Sequence, residues 1–298
     1  MTRMARPSSH LGGRVAAFVA AAVLAWGAVA IGPAAMAAGA TDTKPAEPRP
    51  EITAPAPVPA ALGFAVQERG RACEGLLVRD PDAAGAFARK WADEGGGAPA
   101  HSCAARALLL QAQGLPAGPD SRARYGEAAA LFEELGVVLA LPADRVTALR
   151  EAGRAYYLAG RHDRALRALQ LAQNELPDEV SIMLDRVGVL VAMGNGKPAL
   201  DLLDQAVRLG GETIPVLMLR SRAYRALGWA DLAGVEVERA LAMSPFDPAA
   251  LLERGLVRQA QGNTDAARVD WGMVVRVAPA SAPGRRAQDL LAEATKQK

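Results

Sequence analysis

The chain has 298 residues, enough for a large core, yet it is only 4% aromatic and is rich in Ala, Leu, Arg and Gly. That mixture suits closely packed helices and excludes a sandwich or barrel as the expected class. The formal charge of +2 owes to Arg3, Arg6 and Arg14, for residues 38–298 carry 31 of the 34 Lys and Arg against all 32 Asp and Glu. This balance lacks the concentrated basic excess of a nucleic-acid-binding protein, and no nucleic-acid partner is expected.

The N-terminus, "MTRMARPSSHLGGRVAAFVAAAVLAWGAVAIGPAAMAAGA", places arginines before an uncharged apolar run over residues 15–31, with small residues beyond it. That order predicts a secretory signal peptide over residues 1–37. Ala35 and Ala37 make the small-residue pattern for cleavage after Ala37, while Ala38 and Ala40 offer a second site. The alternative is an uncleaved membrane anchor, because the run approaches the roughly 17 residues that can just span a bilayer. No cysteine closely follows the run and no adjacent arginines precede it, which disfavours lipoprotein processing and the twin-arginine route. The expected location is the periplasm or cell envelope. Residues 38–61, including "TDTKPAEPRPEITAPAPVPAA", return to proline without a helical or strand period and are expected to be a polyproline-rich linker. It is either a spacer or a tolerated disordered terminus.

Residues 62–145 read as divergent helical hairpins. "GRACEGLLVRDPDAAGAFARKWADEGGG" is a hairpin broken at Asp80 and Pro81, and "HSCAARALLLQAQG" is the first helix of another. "LPAGPDSR" is expected to be a loop, followed by a second helix, "YGEAAALFEELGVVLA". Cys73 and Cys103 are the two cysteines of the chain. In an exported protein an even count predicts a structural disulfide, whereas in the cytosol both would be buried thiols. Both fall on first helices of neighbouring hairpins, and closing a loop of about 30 residues stabilises by roughly 3.6 kcal/mol through the entropy of the unfolded chain.

From residue 146 the chain repeats at a step of 34 residues. Gly160 is followed by Gly194, Gly228 and Gly262, and Ala165 by Ala199, Ala233 and Ala267. Leu149, Met183, Leu217 and Leu251 make another column, as do Tyr156, Leu190, Tyr224 and Arg258, and Leu169, Leu203, Val237 and Trp271. Ala172, Ala206, Ala240 and Val274 complete the set, and the units close at Pro177, Gly211, Pro245 and Pro279. Four consecutive units of this period in an alanine-rich sequence, spanning residues 146–281, resemble the tetratricopeptide repeat. Upstream, Ala107, Leu110 and Gly114 stand 46 residues before Gly153, Tyr156 and Gly160, which implies an insertion of roughly a dozen residues relative to the repeat.

The columns have physical reasons. Leu149, Ala152, Gly153 and Tyr156 share one helical face, and Gly160 stops the helix where a left-handed residue is needed. A second helix then starts near Asp163, where small Ala165 lets the pair approach and Leu169 and Ala172 fill the seam. Pro177 with Asp178, and Asp247 with Pro248, are cap and first-turn signals. No hairpin buries its apolar face alone, so the units must stack, and the resemblance implies an all-α, right-handed superhelical solenoid. Residues 282–298 offer Ala287, Leu290, Leu291 and Ala294 on one face and are expected to form a capping helix.

A search for reactive chemistry is negative, so no enzyme, cofactor or metal is expected. "GNGKP" at residues 194–198 lacks the full phosphate-loop pattern and sits at an inter-helix turn. His10, His101 and His162 are scattered, without the spacing of metal ligands. A nucleophilic Cys103 activated by His101 is disfavoured, because residues two apart point differently on a helix. Trp91, Trp229 and Trp271 read as packing or hairpin-edge residues.

Arg186, Arg220 and Arg254 occupy the column of Ala152. In many tetratricopeptide repeats such an arginine faces an acid on the second helix, and the resemblance implies ion pairs of Arg254 with Asp270 and of Arg220 with Glu236. The alternative is that they face a ligand. For Arg186, Leu202 stands at the acid's place, so Asp201 or Asp204 is expected to serve. The resemblance also implies a non-enzymatic scaffold or adaptor whose first helices line a concave surface for a protein or peptide. Helical spacing assigns to that surface Arg150, Arg154 and Tyr157, then Leu184, Gly188 and Val191, then Met218, Arg222 and Arg225, then Leu252, Leu256 and Gln259. An apolar groove with two arginine clusters suits an acidic peptide or a free C-terminus, unless those arginines are merely solvated. A membrane-anchored envelope assembly factor is the alternative, in which case the N-terminal segment itself is the membrane contact, and an enzyme of unknown reaction is the third reading.

Overall fold

The computed structural model describes residues 60–296; the expected signal peptide and nearly all of the expected linker lie outside them. Within this range there are thirteen helices and no strand: α1 (Ala60–Arg79), α2 (Pro81–Asp93), α3 (Gly97–Gly114), α4 (Pro119–Val138), α5 (Pro142–Leu158), α6 (His162–Glu175), α7 (Val180–Ala192), α8 (Gly196–Gly210), α9 (Ile214–Ala226), α10 (Ala230–Met243), α11 (Pro248–Ala260), α12 (Thr264–Val277) and α13 (Ala282–Lys296). Each helix packs on its successor, and first helices also touch the first helix of the next hairpin: α5 on α7, α7 on α9 and α9 on α11. That is the contact pattern of a solenoid of stacked hairpins.

The turn inside each of the last four hairpins is the same object built four times. Gly160, Gly194, Gly228 and Gly262 have φ of +74°, +76°, +79° and +81°. The next residue donates its N–H five positions back, Arg161 to Tyr156 at 2.8 Å, Asn195 to Leu190 at 2.9 Å, Trp229 to Tyr224 at 2.9 Å and Asn263 to Arg258 at 2.8 Å. These are Schellman turns, which satisfy the last carbonyls of the first helix and reverse the chain within two residues.

Past the turn the hairpins close on alanine. Ala165, Ala199, Ala233 and Ala267 are all fully buried, and the large residue one turn on, Leu169, Leu203, Val237 or Trp271, is at most 1% exposed. In the first and last of these hairpins the large residue lies against a glycine of the partner helix. A Cβ on Gly153 would stand 2.4 Å from Leu169 Cγ, and one on Gly255 would stand 2.3 Å from Trp271 Nε1. The bulk of Trp271 is thus accommodated by the absence of a side chain at residue 255.

The N-terminal hairpins depart from the sequence expectation in one respect. "LPAGPDSR" is not an inserted loop, since only residues 115–118 separate α3 from α4 and Pro119 already sits in the first turn of α4. The extra residues lengthen helices instead: α3, α4 and α5 run to 18, 20 and 17 residues, against 13 to 15 in α6 to α12. Proline at a helix start is compatible with continuing helix because its missing N–H has no partner there. Asp80 does cap α2, accepting from Asp82 and Ala83 N–H at 3.0 and 2.9 Å, and Asp247 caps α11 through Ala250 at 2.8 Å. At α7 the cap is Glu179, not Asp178.

Cys73 of α1 and Cys103 of α3 form a disulfide across a Cα–Cα distance of 6.2 Å. It ties neighbouring first helices together inside a small core that includes Leu77, Ala84, Ala88 and Trp91. At the other end α13 buries Ala287, Leu290 and Ala294 and leaves its opposite side to solvent. Replacing Gly255 by Leu is expected to force Trp271 aside and to destabilise the protein by about 1–3 kcal/mol, read as a lowered melting temperature; an unchanged melt would mean that the hairpin can open there without strain.

Candidate functional site

The residues of the first helices that point away from the hairpin seams converge on one recess. A cavity of about 290 Å³ is lined by Arg154 and Tyr157 of α5, Leu184 and Gly188 of α7, and Leu219 and Arg222 of α9, among others. A second of about 310 Å³ continues it past Gly188 toward Val191 and Arg225. Tyr157, Gly188, Leu219 and Arg222 belong to both, so the two are one groove across three helices. A wider depression of about 730 Å³ surrounds Trp229 and Gln261, but it is an open surface of turn residues with no convergent charge.

The groove departs from the sequence reading at three places. Met218 is buried, 6% exposed, in the core with Leu217, Leu241 and Leu251, and its neighbour Leu219 faces the groove instead. Leu252 and Leu256 are half-buried against that same core. Gln259 borders a separate recess with Arg268, Leu290 and Glu293, where α13 lies beside α11 and α12. The groove therefore ends at α9, because the capping helix and the core engage the corresponding face of α11.

The arginines are engaged as well. Arg150 donates to Asp185 from Nε at 3.1 Å and Nη2 at 3.0 Å, and Arg154 reaches the same carboxylate at 3.2 Å and Glu151 at 3.4 Å. Two arginines against two acids leave this end of the groove neutral. At the other end Arg225 donates to Glu253 at 2.9 and 3.4 Å, and Arg222 Nε stands 3.4 Å from that carboxylate. Glu253 is 2% exposed, so both arginines cover one buried acid and a single positive charge is left over. Asp185, Leu219 and Glu253 are the residues that sequence reasoning missed. They form one column at the 34-residue step, and the offset from Arg154 to Asp185 and from Arg222 to Glu253 is the same 31 residues.

The arginine column on the seam side follows a rule that extends the sequence expectation. Arg254 pairs with Asp270 at 2.7 Å and with Glu238 at 3.2 Å, and Arg220 with Glu236 at 3.6 Å and with Asp204 at 3.5 Å. Each is held between acids 16 residues before and 16 after it. Arg186 has Gln170 and Leu202 at those places and pairs with neither Asp201 nor Asp204; it donates to Gln173, and its Nε has no partner. Burial without a carboxylate holds the Arg186 guanidinium below its usual pKa.

Among the described residues no three His, Cys, Asp or Glu side chains converge as metal ligands. His162 stacks on Tyr157 with ring centres 5.7 Å apart at the rim of the groove. Trp91 and Trp271 are buried and Trp229 is 44% exposed, lying 6.0 Å from Tyr224.

The buried Glu253 makes the third-hairpin arginines structural as well as groove-facing. Replacing both Arg222 and Arg225 by Ala strands that carboxylate and is expected to cost about 3 kcal/mol in a denaturation experiment. Adding Glu253→Gln should recover most of the loss, and no recovery would show that the arginines stabilise through packing alone.

The chain matches no protein-family model, and no curated protein sequence matches it. Among solved structures it resembles a tetratricopeptide-repeat protein of Thermus thermophilus, with a TM-score of 0.50 at 21% identity over 63% of this chain and 99% of that one. It also resembles PilF of Pseudomonas aeruginosa, with a TM-score of 0.49 at 16% identity over 77% and 99% of the two chains. A third likeness, at a TM-score of 0.38, 17% identity and 67% and 96% coverage, is to YrrB, described as a TPR protein with an unusual peptide-binding site. Residues 60–296 have the fold of a tetratricopeptide-repeat solenoid.

Proposed function

We propose that the chain is an exported, non-enzymatic scaffold that holds an extended segment of a partner protein in the groove across α5, α7 and α9. The observation that carries this reading is the groove itself: Tyr157, exposed at its edge, and Leu184, Val191 and Leu219, half-buried on the core beneath, give it an apolar floor. Partly exposed apolar surface in a concave, charge-rimmed strip is what an extended peptide covers. An acidic segment is favoured at the α9 end, where one arginine charge is not neutralised within the chain. Export rests on the N-terminal sequence; none of the described helices is long and apolar enough to cross a membrane. Edman sequencing of the envelope-fraction protein should begin after Ala37 or Ala40, and a retained Met1 would make it membrane-anchored.

Gly188 provides the test. A Cβ there meets nothing within 4 Å, so a larger side chain projects into the groove without disturbing the fold. Exchanging a mid-helix glycine for a helix former should even add about 0.5–1 kcal/mol of stability. Affinity capture of the full chain from cells is expected to lose its partner in Gly188→Leu while the melting temperature holds or rises. Capture of the same protein in the same yield by both would move the binding surface elsewhere.

A further inference from the structure

The column at the 34-residue step that holds Gly188 reads Arg154, Gly188, Arg222 and Leu256, and its first three members line the groove. Gly188 is the position without a side chain, with open space above its Cα and Tyr157, Leu184, Val191 and Leu219 around it. It makes a slot between two arginines that differ in what they already hold. Arg154 makes four polar contacts to Asp185 and Glu151. Arg222, with 42% of its side chain exposed, has only the 3.4 Å approach to Glu253, and the better-placed Arg225 already donates twice to that acid. Most of the five N–H donors of the Arg222 guanidinium are therefore open to the groove.

We propose that the groove reads a two-part pattern, a bulky apolar side chain seated over Gly188 and an acidic side chain about three residues away held by Arg222. This rests on the groove reading above and adds what the groove recognises. Neighbouring first helices stand about 8–10 Å apart and an extended peptide advances about 3.3 Å per residue, so the slot on α7 and the arginine on α9 are about three residues apart. The apolar walls take the anchor through area removed from water. The guanidinium takes the carboxylate through charge-assisted hydrogen bonds, at the end of the groove that carries the uncompensated charge. The α5 end, already neutral, makes no such demand.

The test uses short fluorescent peptides blocked at both ends, with one Leu in an otherwise Ser and Gly sequence and a Glu about three positions before or after it, titrated onto the intact protein. In one of the two orders the Glu peptide is expected to bind about tenfold more tightly than its Gln counterpart, with the preference shrinking at high salt. Arg222→Gln should erase the preference, so that the Glu and Gln peptides bind it alike, and Arg222→Lys should keep part of it. Gly188→Leu should abolish binding of every peptide. Equal affinity of Glu and Gln peptides in both orders overturns the assignment of Arg222, and if Gly188→Leu still blocks them the groove survives as the binding site. Undiminished binding to Gly188→Leu, or no binding by any peptide, overturns the slot. A peptide ending at the Leu with a free terminal carboxylate, if bound more tightly than the Glu peptide, overturns the choice of an acidic side chain as the ligand.

Discussion

Two helices can run within about 8 Å of each other only where the residue between them is small. That steric condition, met by the fully buried Ala165, Ala199, Ala233 and Ala267, governs the whole array. Close approach at the alanine brings Leu169, Leu203, Val237 and Trp271 into the seam, and it fixes which face of each first helix is left over for its neighbours and for solvent. A larger residue would splay one hairpin, tilt the next, and misalign every contact that spans units, because each hairpin touches only those beside it.

The junctions between units alternate in character. Between α5 and α7 the groove side is ionic, Arg150 and Arg154 sharing Asp185. Between α7 and α9 it is apolar, with Leu184, Val191 and Leu219 in place of charges. Between α9 and α11 it is ionic again, through Glu253. The apolar junction is thus bracketed by charged ones. The same residues that link neighbouring units therefore frame the apolar stretch of the groove.

Much of this was legible from residues alone. The period of 34 is imposed by steric facts that leave a mark in composition: a left-handed glycine at each turn and a small residue at each crossing. Cys73 and Cys103 read as lying on adjacent first helices from their hairpin patterns alone, since the 34-residue period does not extend to them. What the sequence concealed depends on a rotation of one residue or on distance along the chain. Met218 and Leu219 are both apolar and adjacent, so periodicity cannot decide which one turns inward; the packing of α9 on α11 does. The partners of the arginines lie about one repeat downstream, where an acid reads as ordinary surface until the 31-residue offset is noticed twice. "PDSR" carries turn composition, yet Pro119 is as well suited to a helix start as to a loop, and the lengths of α3, α4 and α5 absorb the insertion.

The disulfide has a consequence beyond the two helices that it joins. A linear stack has no interior in the sense that a globule does, since its two ends are always its weakest links and unravelling proceeds from whichever end opens first. Here the ends are unequal. One is sutured covalently at α1 and α3, while the other is closed only by the side chains of α13 lying on α11 and α12. The molecule accordingly has a direction of wear: strain, heat or a protease acting on the chain meets a fixed edge at its N-terminal hairpins and a loose one at α13, and the groove sits between them with four helices on either side.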